Sequence, residues 1–112
     1  MVRVNDLMNI STHRPDEVDF PTLSIDEQKK LLKANAFNIM RGYLTSKYDE
    51  TMFLAEIEKL AQYNVLSFSE LMDFLKPRVS YEALQCSFGK SSTEREELRR
   101  RFMYVQNFER KL

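Results

Sequence analysis

Cysteine and histidine occur once each, as Cys86 and His13, in a chain of 112 residues. Neither a disulfide framework nor a His/Cys metal cluster can be assembled from one of each. Net charge is also missing: 17 Lys and Arg offset 17 Asp and Glu, so the chain as a whole brings no positive charge to a phosphate backbone. No stretch approaches the roughly 18 apolar residues of a membrane span, and the first ten residues carry no apolar core of signal-peptide length. These absences predict a cytoplasmic protein with no membrane association, no metal and no cofactor. At this length a chain buries about two thirds of the surface its unfolded form exposes, enough for a single core without covalent staples.

Catalytic patterns are lacking as well. The carboxylates fall at expected helix starts or on polar faces, where capping and solvation account for them. His13 stands beside Arg14 and Pro15, away from any periodic segment, and Cys86 between Leu84 and Phe88 reads as a small, partly buried hydrophobe. Gly89-Lys90-Ser91-Ser92 has the close of a phosphate-binding loop without its earlier glycine, and it follows a helix rather than a strand. The expectation is a protein that is not an enzyme.

Glycine and proline are scarce, at two and three, and 13 leucines with six methionines outnumber six valines and four isoleucines. That usage favours helix over sheet. The fold class predicted is all-α: a compact bundle of about five helices behind an irregular acidic N-terminal arm. Residues 1–22 form the arm, partly disordered, with one turn near Asp6 to Ile10; residues 23–112 form a single helical domain.

Helix starts are written locally. Ser24-Ile25-Asp26-Glu27 and Ser67-Phe68-Ser69-Glu70 are capping boxes, in which serine and glutamate each satisfy the other's backbone N–H. Leu32, Ala36, Ile39 or Met40, Tyr43 and Leu44 make one apolar stripe over 25–46; Phe53, Ile57, Leu60 and Ala61 make a second over 50–63, behind acidic Asp49 and Glu50. Pro77 predicts the end of a short third helix. A fourth runs from Ser80, packs through Tyr81, Leu84 and Phe88, and ends at Gly89. A fifth covers 93–110, with Glu96/Arg100 and Glu97/Arg101 in the favourable order of i,i+4 pairs.

Two readings of function follow. The first is a small regulatory or adaptor protein that binds a protein partner through its C-terminal helix, with Arg99, Arg101, Tyr104 and Phe108 as contacts. Leu98, Phe102, Val105 and Leu112 form a short seam on the same helix that could pair two copies into a homodimer, or simply face the core. The alternative is a helix-turn-helix DNA-binding regulator over residues 80–102. There Lys90, Ser92, Thr93 and Arg95 face the groove and Arg99 to Arg101, Arg100 included, hold phosphates. Residues 95–112 carry a net charge of +3 and residues 1–27 a net −4, so the acidic arm could cover that same face.

Overall fold

The computed structural model describes residues 14–109. His13, the turn expected near Asp6 to Ile10, and Leu112 lie outside that range. Two short 3-10 turns, Pro15–Glu17 and Phe20–Thr22, lead into four α-helices: α1 (Ile25–Leu44), α2 (Glu50–Ala61), α3 (Phe68–Ser87) and α4 (Ser92–Gln106). Among the described residues there is no strand, so the class is all-α. Among the described residues the helices number four rather than about five.

The difference lies at Pro77. Expected to end a helix, it sits inside the continuous 20-residue α3. Proline in a helix interior costs about 3 kcal/mol because it removes one backbone donor and crowds the preceding turn. Here both the proline and Asp73, whose carbonyl loses its donor, are exposed to water. Core residues Leu71, Met72 and Leu75 before it and Val79 and Ala83 after it keep a spacing of three and four, so burial on both sides holds the helix in one register. Arg78 Nη1 donates to the Phe74 carbonyl at 2.7 Å, and its guanidinium lies 3.9 Å from the centre of the Phe74 ring.

Each helix start is capped by a side chain. Ser24, Ser67 and Ser91 accept from the backbone N–H of Glu27, Glu70 and Glu94, and each glutamate accepts in return from its cap's N–H. Asp49 Oδ1 accepts from Met52 N–H at 2.8 Å to open α2. Hydrogen bonds with the serines hold Glu27, Glu70 and Glu94 below the ordinary carboxylate range. Gly89, at φ +77°, turns the chain from α3 into α4, a conformation that a Cβ disfavours.

The core runs through all four helices. Leu31, Leu32, Met40 and Tyr43 of α1, Phe53 and Ile57 of α2, Leu71, Leu75 and Val79 of α3, and Val105 of α4 are fully buried. Tyr43 stacks on Phe53 with ring centres 4.9 Å apart. The first turns join this body: Pro15 and Phe20 are buried, Phe20 meets the Tyr63 ring at 4.8 Å, and Gln28 Nε2 donates to the Phe20 carbonyl. At Gly42 the ring of Tyr48 approaches so closely that an added Cβ would stand 2.5 Å from its Cε2.

Candidate interaction surface

α4 holds most of the residues singled out from sequence, and the structure divides them. Arg101 points inward. Its side chain is only 11% exposed, and Nη1 donates to the carbonyls of Tyr43 at 2.8 Å and Tyr48 at 2.6 Å. The guanidinium lies 4.8 Å from the Tyr43 ring centre, while Nε donates to Glu97 at 2.9 Å. A helix leaves its last carbonyls without their usual intrahelical donors; at the end of α1 the Tyr43 carbonyl accepts from Ser46 N–H at 3.1 Å, and Arg101 adds a second donor there and ties the following loop to α4.

Arg100 is engaged too. Its Nη2 and Nε donate to the two oxygens of Glu97 at 2.6 and 3.0 Å, and its Nη1 reaches the Glu50 carboxylate. Glu50 also accepts from the Tyr43 hydroxyl at 3.1 Å. These contacts join α1, α2 and α4 in one polar network at the edge of the core. The Arg100 and Arg101 hydrogen bonds pull Glu97 down to about 2, and Arg100 foremost lowers Glu50. Burial, then the Glu50 carboxylate, pushes the Tyr43 hydroxyl up.

Tyr104 and Phe108, expected to meet a partner, are half-buried. The Tyr104 ring lies 5.9 Å from Tyr43 and 5.8 Å from Phe108, and Phe108 lies 5.8 Å from Phe68. They extend the aromatic core rather than stand on the surface. The C-terminal seam likewise faces inward at Leu98 and Val105, both buried, with Phe102 half-buried. Arg99 is exposed.

The turn-and-helix residues proposed for DNA are at the surface. Ser92, Thr93 and Arg95 are exposed, and Lys90 Nζ lies 3.9 Å from Glu94. What differs is the helix before them. Tyr81, Leu84 and Phe88, expected to pack that helix inward, are 67%, 57% and 69% exposed. The inward side is made instead by Val79 and Ala83, with Cys86 half-buried against the core. Burial pushes the Cys86 thiol up, away from the reactive thiolate. At about 100° per residue, Tyr81, Leu84 and Phe88 lie within about 60° of one another, on the side of α3 opposite Val79 and Ala83. The Phe88 φ of −64° keeps its side chain on the helical path although the helix ends at Ser87.

This outer face of α3 is the candidate site, a site that sequence reasoning assigned to the core. It carries almost no charge: across residues 79–89 only Glu82 is ionisable as a carboxylate. The Glu82 side chain is 12% exposed and bound to Arg41 Nε at 2.9 Å. A second concavity, an open cleft of about 640 Å³ between α1, α2 and the first turn, is lined by Arg14, Arg41, Lys47 and Lys59. Within the chain Arg41 pairs with Glu82, Lys59 with Glu56 at 2.9 Å, and Lys47 covers the Tyr48 ring.

Among the described residues no helix is long and apolar enough to cross a membrane, and no group of three His, Cys, Asp or Glu is placed to hold a metal. Comparison with protein-family models, curated proteins and solved structures found no match to this chain.

Proposed function

We propose that this chain is a regulatory or adaptor protein of the cytoplasm that works by binding a protein partner, with a non-catalytic role. The contact surface is the outer face of α3 rather than the C-terminal helix. The observation that carries this reading is the exposure of Tyr81, Leu84 and Phe88 together on one helix face. Single exposed apolar residues are ordinary, but two aromatics and a leucine aligned on a charge-poor face have the composition of an interface core. Such a face presents i, i+3 and i+7 anchors to an apolar groove or to another helix.

Several features weigh against the helix-turn-helix alternative. Glu94 occupies the N-terminus of α4, where a phosphate would bind, and Arg100 is committed to two carboxylates. The preceding helix does not pack through Leu84 and Phe88.

The test places a photo-crosslinking amino acid at Tyr81 and, as a control, at exposed Glu96 in the full chain, expressed in its own cells. The expected result is a discrete crosslinked protein from position 81, absent from position 96 and lost when Leu84→Glu is added. No crosslink at 81 overturns the reading. Duplex DNA titrated at two salt concentrations gives the opposing arm: affinity that falls steeply with salt, and falls again with Arg95→Ala, would put DNA in its place.

A further inference from the structure

We infer that the outer face of α3 pairs with the same face of a second copy of this chain, the two helices running antiparallel. The inference rests on the preceding reading of that face as a binding surface and names its occupant.

The first ground is spacing. Pro77 is exposed and lies on the same side of α3 as Tyr81, Leu84 and Phe88. The four are separated by four, three and four residues, which is the alternation of a heptad seam. That pattern reads the same in both directions about a point between residues 82 and 83. An antiparallel copy therefore sets Tyr81 level with Leu84 of its partner and Pro77 level with Phe88, and the reverse. Each of the four side chains meets an apolar neighbour along a seam of about 16 Å. A two-fold contact must be self-complementary in this way, because the same patch serves both sides.

The second ground is charge. In a contact between identical surfaces, each ionised group risks facing its own kind. The chain is 30% charged, yet between Pro77 and Phe88 only Arg78 and Glu82 are ionised. Both are held within the chain: Arg78 against the Phe74 ring and carbonyl, Glu82 on Arg41. A foreign partner of opposite charge finds little to recognise here, whereas a second copy meets no like-charge penalty.

Area limits the contact. From their exposures, Tyr81, Leu84 and Phe88 offer roughly 400 Å² per copy, given aromatic side chains of about 150–250 Å². The pair buries roughly 800 Å², short of the ~1,200 Å² at which stable complexes begin. The dimer is accordingly weak.

Sedimentation equilibrium on the full chain from about 10 µM to 1 mM reads this directly. The expected result is a reversible monomer–dimer transition that Leu84→Glu weakens by at least tenfold with an unchanged melting temperature. Leu84→Met, which keeps the apolar bulk, should retain the dimer. Pairing is located by the crosslinker at Tyr81 in a mixture of light and heavy-isotope protein. Mixed-isotope crosslinks should map to residues 84–88 of the second copy. A monomer at every concentration, or a dimer indifferent to Leu84→Glu, overturns the inference. A crosslink to another protein in cells, with no self-association in vitro, would overturn the dimer and leave the binding surface standing.

Discussion

Replacing Arg101 by alanine separates two roles for one residue: a surface contact, as its sequence setting implied, or a strut between helices. The side chain is 11% exposed and donates to two backbone carbonyls, at Tyr43 and Tyr48, from elements more than 50 residues away. Hydrogen bonds from a charged donor contribute about 1.5–3 kcal/mol each, and the Tyr43 carbonyl keeps the Ser46 N–H as a donor when Arg101 is truncated. Taking the lower end for each, because the two share one guanidinium nitrogen, gives a loss of about 3 kcal/mol. The contact with the Tyr43 ring adds some tenths more, and the Glu97 pair, open to water, adds little. At about 4–8 °C per kcal/mol for a domain of this size, the midpoint should fall by roughly 12–24 °C. Arg101→Lys should recover only part of this, since one ammonium cannot hold both carbonyls while lying flat on a ring. Arg99→Ala, on the exposed side of the same helix, should stay within about 0.5 kcal/mol of wild type. Thermal and urea unfolding followed by circular dichroism measure all three. An Arg101→Ala protein melting with the wild type would refute the strut.

Gly42→Ala sets two effects against each other: removing an interior helical glycine contributes about 1 kcal/mol, but the new methyl collides with Tyr48, at a cost of about 1–3 kcal/mol. The substitution should destabilise the wild type and stabilise a Tyr48→Ala background; stabilisation in both would show that the ring is free to move aside, and destabilisation in both that the ring is not the cause. Glu27, Glu70, Glu94 and Glu97 all sit below their unfolded value near 4.5, Glu97 at about 2. A carboxylate lowered in the folded state lends stability that is complete above its unfolded value and is lost as pH falls through its folded one. Melting temperature should therefore hold from pH 7 to about 5 and then drop toward pH 2, with Glu97→Gln flattening the acid end; a curve level to pH 2.5 contradicts the hydrogen bonds that lower them. Pro77→Ala should raise stability by about 1–3 kcal/mol in denaturant melts, because it restores a donor inside a helix that is already continuous; a loss of stability would mean that α3 depends on the proline.

The sequence disclosed elements better than faces. Ser24 to Glu27 and Ser67 to Glu70 named two helix starts, because a cap is a contact between positions three apart, while acidic Asp49 and Glu50 marked the third only through the charge of the helix end. The third box, Ser91 to Glu94, carries the same pattern and was open to the same reasoning. Pro77 misled because a local rule met a long-range compensation: Val79 and Ala83 beyond it are buried in the core, which spacing alone does not reveal. The exposure of Tyr81, Leu84 and Phe88 was hidden for a related reason. α3 is apolar on two sides, and the larger residues, Tyr81, Leu84 and Phe88, look more like core than Ala83 and Cys86 do. Small residues face inward where helices approach closely, so bulk pointed the wrong way. At the C-terminal end, Tyr104 and Phe108 read as interface aromatics, and the structure sets them half-buried at the rim of the core.

The long reach of Arg101 has a kinetic side. Each helix begins through contacts three residues apart, and α3 and α4 are joined by a turn of a few residues, so these pieces can form while the chain is otherwise open. Arg101 is different: its carbonyl partners lie 58 and 53 positions earlier in the chain. Closing a loop of that length sets an entropic toll that local pairing does not. That cost leads us to expect the contact late on the folding route, after the hairpin of α3 and α4 exists and as it docks on α1. A contact made after the barrier leaves the forward rate nearly untouched and governs the return. Arg101 is thus a latch: without it the chain should still assemble at about its usual speed, and open far sooner.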